Sequence, residues 1–144
     1  GRREALKKAL QDAGVENVVL HNPVPRNELM QHYANSDILW LNLNDVSAFR
    51  KVLPSKLFEY GSLGKPVLAG VAGYAATFVR GEIVGSHVYT PCDPEGLVLG
   101  FHSLRSLPEV ELDREPFRAR FRRKTVMKKL SDDIIALHQT HANQ

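Results

Sequence analysis

The sequence predicts an α/β fold built on a parallel sheet, and three observations carry that expectation. Helix-period and strand-like segments alternate along most of the chain. Residues 37–41 are apolar on both faces, as a strand covered on each side must be. A hydrophobic content of 43% in 144 residues is enough to bury one core, so disorder and fibrous repeats are excluded.

The elements follow in order. Residues 3–13 space Ala5, Leu6, Ala9, Leu10 and Ala13 three and four apart and end at Gly14, the pattern of an amphipathic helix with a glycine C-cap. Residues 17–21 hold the β-branched run Val18, Val19, Leu20 and predict a strand, closed by Pro23 and Pro25. Asn27 is placed to cap a helix over residues 28–34, and 37–41 is the strand of both-face burial, expected at the centre of the sheet. Pro54, Ser55 and Lys56 open a helix over 57–63, stopped by Gly64, and Val67, Leu68 and Ala69 form the next strand. A helix over 72–79, a strand at 87–89 and a helix capped by Asp93 and running to Leu104 complete the alternation, which implies right-handed crossovers. Residues 107–114 are a linker, and 115–138 are expected as one long helix with Met127, Leu130, Ile134 and Leu137 along one stripe. Two parts follow: an α/β domain at 1–113 and a basic amphipathic helix at 114–144.

Charge is uneven. The net is +3, yet eight of the 19 basic side chains fall within residues 114–129 against Glu115 alone, leaving a mildly acidic body. Such a block suits anionic lipid headgroups, phosphorylated substrates or nucleic acid, or the wet side of a helix. Of these the solvated face is the plainest reading, and nucleic acid ranks last because only Phe117 and Phe121 interleave the cations. The longest strongly apolar run, 38–41, is far below the about 20 residues of a membrane span. Residues 1–10 are basic and helical rather than signal-like, and a single cysteine, Cys92, suits a reducing compartment. A cytoplasmic protein is the expectation.

In open α/β sheets ligands gather at the carboxyl ends of the strands, and residues 42–56 form the informative loop there. Proline opens the following helix without wasting a donor, so the amides near Ser55 and Lys56 favour an anion such as phosphate, with the Lys56 charge beside them. Glu59 stands about one turn, roughly 5 Å, further along. A carboxylate so placed can accept hydrogen bonds from two neighbouring sugar hydroxyls. On spacing alone, the preferred reading of Lys56 and Glu59 remains a surface ion pair of small worth.

A wider pattern changes the weighting. Asn17 to Leu20, Pro23-Val24-Pro25 with Glu28-Leu29, Ala34 through Asp37, the run Leu53-Pro54-Ser55-Lys56-Leu57-Phe58-Glu59-Tyr60 and Gly64-Lys65-Pro66-Val67-Leu68-Ala69 together resemble the C-terminal half of a family 4 (group 1) glycosyltransferase of the GT-B fold, in the variant of bacterial enzymes that assemble surface polysaccharides. The resemblance covers most of residues 1–104. It implies a Rossmann-like three-layer sheet with helices on both faces, and a nucleotide-sugar donor, UDP- or GDP-linked, held without a metal. Glu59 matches the second acid of the family's Glu-x7-Glu motif and would hold the ribose. Lys56 would supply charge to the leaving group, and Val24 and Pro25 a wall near the base. Leu53, Pro54 and Ser55 would line the phosphates. Lys51 stands where many members carry the first acid, which touches the transferred sugar. The family's Gly-rich turn and diphosphate-neutralising basic pair have no counterpart in this sequence, so the leading strands of the sheet are expected to be missing, with the gap between 17–21 and 37–41. The acceptor, a glycan or lipid-linked sugar, would be held by the other half, against which the family's terminal helix packs. Without that half, the stripe at 127–137 is expected to be exposed and to favour self-association, while peripheral membrane contact is an expectation from the basic helix.

The remaining candidates are weaker. His138 and His141 are three apart but have no third ligand nearby; His21, His32, His87 and His102 are isolated; Cys92 has no basic neighbour to lower its pKa; and residues 70–73 lack G-x-G-x-x-G. Trp40 reads as core. A second class stays open: a non-catalytic nucleotide-binding or scaffold module, with Lys51 marking a lost acid and the basic helix docking a partner.

Overall fold

The computed structural model describes residues 2–108 and 112–142, the last three of these as backbone only. The chain forms two compact units, Gly1–Asn35 and Ser36–Gln144.

The first unit holds two helices, α1 (Arg2–Asp12) and α2 (Arg26–Ala34). Gly14 takes φ +63° after α1, where a side chain would be strained, in keeping with the expected glycine stop. The expected strand at 17–21 does not form. A single run cannot satisfy its own backbone, and the unit offers it no partner strand; instead the Arg3 guanidinium donates to the carbonyls of Leu20 and His21, while Val19 is left 74% exposed. Helix α2 starts one residue before Asn27, with Pro25 at its N-cap position, so Asn27 is not the cap. Pro25 has a fixed φ of −59° that suits a helix entry and a carbonyl that accepts from the Leu29 amide.

The second unit carries the sheet. Strands β1 (Leu39–Asn42), β2 (Val67–Gly70) and β3 (Ser86–Tyr89) are parallel and lie in the order β1-β2-β3, with Leu39 opposite Val67 and Val67 opposite Ser86. The both-face burial expected at 37–41 belongs to β2, every residue of which is buried. Strand β1 is at an edge, with Trp40 55% exposed, because α5 (Pro94–Arg105) covers only β2 and β3 on that side. Asp93 caps α5, accepting from the Gly96 amide at 3.0 Å. Gly100 allows the close approach: a Cβ there would strike Leu68 and His87. Helix α4 (Tyr74–Glu82) packs on the opposite face, where the alternate residue Ser86 donates to the Val79 carbonyl. The core is Leu57, Val67, Ala69, Val71, Ala75 and Val79 on that side, and Leu68, Tyr89 and Leu104 under α5.

Between β1 and β2 run a short 3-10 helix, Ser47–Lys51, and α3 (Lys56–Gly61), which ends at Gly61, capped by Ser62, rather than at Leu63. The expected long terminal helix is two helices, α6 (Glu115–Phe121) and α7 (Arg123–Ala142), broken where Arg122 adopts ψ 129°. Helix α6 is held by packing, whereas the described side chains of α7 are exposed. Gly61 sits under the Phe117 ring, and Phe58, Phe78, Phe117 and Phe121 cluster with ring centroids 4.7 to 6.5 Å apart. Arg114, 1% exposed, donates to the carbonyls of Leu63 (2.7 Å), Lys65 (2.8 Å) and Val84, pinning the start of α6 beneath the amino ends of β2 and β3. Every described side chain from Arg123 to the end of that stretch is exposed.

Candidate functional site

The crossover from β1 to β2 brings the start of α3 to the carboxyl side of the sheet, where sequence reasoning placed the site. Ser55 precedes α3 with φ −58° and ψ −28°, and the amides of Leu57 and Phe58 already donate to the carbonyls of Pro54 and Ser55 at 3.0 Å. The turn is thus tighter than an open α-helical start, and two of its amides are used locally. Lys56 Nζ lies 3.6 Å from Glu59 Oε2, the two side chains 38% and 30% exposed. The structure therefore joins this predicted pair directly. Their separation is what a surface i, i+3 ion pair also gives, and at that exposure the pair itself contributes little to stability.

The other predicted residues are divided between the two units. Lys51 ends the 3-10 helix and is exposed; Leu53 and Pro54 are half-buried and Ser55 exposed. Arg50, beside Lys51, reaches Asp45 at 3.3 Å. Val24 and Pro25 belong to the first unit, half-buried and exposed respectively. A shallow depression at the strand ends is lined by Leu43, Asn44, Asp45, Phe49, Arg50 and Pro91, none of them a predicted site residue. Gly73, at the start of α4, has φ +62° and lies against the Arg50 carbonyl, which docks the 3-10 helix on the loop after β2. The loop at 70–73 thus serves packing.

Sequence reasoning missed a polar bridge across the carboxyl end of the sheet. The Trp40 indole N–H donates to Tyr89 Oη at 2.7 Å, and that hydroxyl donates to Asn42 Oδ1 at 2.9 Å. The bridge crosses Gly70, where any Cβ would overlap both Asn42 and Tyr89. Burial pushes the Tyr89 pKa up, with the Trp40 hydrogen bond opposing it and Cys92 and Asp93 adding to the rise. Trp40 is therefore neither core nor isolated. The only signal in the sequence was the period-two placement of Trp40 and Asn42 on one face.

A groove of about 260 Å³ opens between α3 and α6, floored by Phe58, Phe117 and Phe121 and rimmed by Arg118 and Arg122, both turned toward Glu115. Among the described residues no group of three or more His, Cys, Asp or Glu is placed to hold a metal, and no described helix is long and apolar enough to cross a membrane. His21 and His32 approach with ring centroids 4.6 Å apart, Glu28 standing 3.8 Å from His32. The His141 side chain lies outside the described residues. Comparison with protein-family models, with curated proteins and with solved structures found no match to this chain.

Proposed function

We propose that this chain is the donor-binding half of a retaining glycosyltransferase of the GT-B type, acting in the cytoplasm on a nucleotide-sugar and a glycan or lipid-linked acceptor. The observation that carries the reading is the run Pro54-Ser55-Lys56-Leu57-Phe58-Glu59, which sets Lys56 and Glu59 one turn apart at the start of α3, on the carboxyl side of a parallel α/β sheet. That is where open α/β sheets bind nucleotides.

The chemistry asks few groups of this half. Glu59 accepts hydrogen bonds from the two ribose hydroxyls, and Lys56 swings from Glu59 to the diphosphate once the donor enters. As the bond from the anomeric carbon to the diphosphate oxygen breaks, the Lys56 charge stabilises the developing negative charge. The acceptor hydroxyl forms the new glycosidic bond, and its proton passes to the departing diphosphate. Lys51 replaces a carboxylate on the sugar side, so the sugar hydroxyls meet a donor rather than an acceptor there.

Calorimetric titration with UDP, GDP and their hexose conjugates tests the reading. Uptake of one nucleotide class is expected. Glu59→Ala should weaken donor binding about a hundredfold, since two charge-assisted hydrogen bonds are lost. No uptake by the unaltered protein would favour the scaffold reading, and unchanged affinity in the variant would remove Glu59 from the site.

A further inference from the structure

Helix α7 presents an apolar stripe with no described cover: Val126, Met127, Leu130, Ile134 and Leu137 are 47 to 62% exposed. At about 100° per residue these five side chains fall within an arc of roughly 100°, the width of a face that ordinarily lies against something apolar. What borders the stripe identifies the surface it fits. Lys124 and Lys129 lie roughly 60° beyond its two edges, and Arg123 lies in line with it one turn earlier. These three cations make no ion pair among the described residues, whereas the other cations of the block are engaged: Arg118 and Arg122 with Glu115, Arg120 with Glu82 and Lys128 with Asp132. Unpaired cations thus stand on both borders of the apolar face toward its N-terminal end, with Asp133 the acidic neighbour on one border further along. The break at Arg122 separates this helix from the packed α6.

We propose that the N-terminal half of α7 docks on an anionic bilayer surface, with Val126, Met127 and Leu130 entering the headgroup region and Arg123, Lys124 and Lys129 on lipid phosphates. Long basic side chains flanking an apolar stripe reach up to the headgroups while their stems lie along the apolar phase. A second copy of the chain is the poorer occupant. Met127, Leu130, Ile134 and Leu137 span two heptads, short of the about three to four that sustain a two-stranded coil, and parallel pairing would set the two basic ends side by side. The inference does not depend on the nucleotide site, and it sets the stripe on lipid where the family resemblance would set it against the other half of the enzyme, because unpaired cations border it.

Sedimentation of the full chain with vesicles tests it. Binding is expected to vesicles of equal parts phosphatidylcholine and phosphatidylglycerol and not to phosphatidylcholine alone, and should fall with added salt. Each lysine at an anionic surface strengthens binding roughly fivefold, so the double variant Lys124→Gln, Lys129→Gln should bind about twenty-five-fold more weakly. Met127→Glu with Leu130→Glu should abolish binding. These side chains are exposed, so an unchanged circular dichroism spectrum and unfolding midpoint will show the fold intact. Absence of binding, equal binding to both vesicle types, or a concentration-dependent dimer that the Met127 and Leu130 changes dissolve while vesicles capture nothing would each overturn the proposal.

Discussion

Arg114 is the residue on which the attachment of α6 most depends. Burial lowers its pKa, yet the guanidinium stays charged far above neutral pH and its fork of donors meets three main-chain carbonyls. Removing it strands those acceptors in the interior. Arg114→Met should cost about 3 kcal/mol in urea unfolding, and Arg114→Lys should recover only part, because an ammonium has no rigid fork. A loss below about 1 kcal/mol would mean water replaces the guanidinium. Tyr89 gives a pH-dependent counterpart. Its pKa is raised on folding, so the folded protein holds that proton more tightly than the unfolded chain. The stability it lends is whole below the ordinary tyrosine pKa of about 10 and is lost as pH climbs from there through the raised value. Unfolding midpoints measured through that alkaline range should drop, and Tyr89→Phe should flatten the part of the drop due to this group. An unaltered slope in the variant would assign the drop to other groups.

At the level of elements, burial separates α6 from α7 although both continue one basic sequence. Phe117 and Phe121 repeat at i, i+4 and reach Phe58 and Phe78, while the α7 stripe stays 47 to 62% exposed. Deleting residues 123–144 should therefore leave the thermal midpoint unchanged within error, and a fall of several degrees would show that α7 packs on the body. The same contrast explains the mistaken expectation of one long helix. Glu115 through His138 contains no proline after Pro116 and no glycine, so local propensity gives no reason for a break. The break at Arg122 follows where the aromatic cluster ends its hold. Edge position was equally hidden: Trp40 reads as a core residue by composition, and its exposure follows from α5 covering only β2 and β3.

Across the whole chain, protection from amide exchange should map the difference between the two units. The sheet unit has a fully buried central strand and helices on both faces, so the amides of β2 and α4 should exchange slowest, through global unfolding. In the first unit, Tyr33 is the one buried side chain among the described residues, and α1 buries none. Its amides should exchange orders of magnitude faster. Comparable protection in residues 2–35 would show that this unit is ordered by contacts of its own strength.

The sequence by itself determined what is local. Apolar period located α1, α3, α4 and α5, side-chain chemistry capped α5 with Asp93, and Gly14 ended α1 because only glycine holds that φ without strain. It also placed Lys56 and Glu59 one turn apart on α3, since 3.6 residues per turn is a property of the helix alone. Tertiary structure alone decided what depends on a neighbour. A strand exists only where another strand takes its hydrogen bonds, so 17–21 stayed irregular and the burial expected of β1 went to β2. The Trp40, Tyr89 and Asn42 bridge and the three carbonyls of Arg114 join residues far apart in the chain, and no periodicity encodes which distant groups packing will bring within hydrogen-bonding distance.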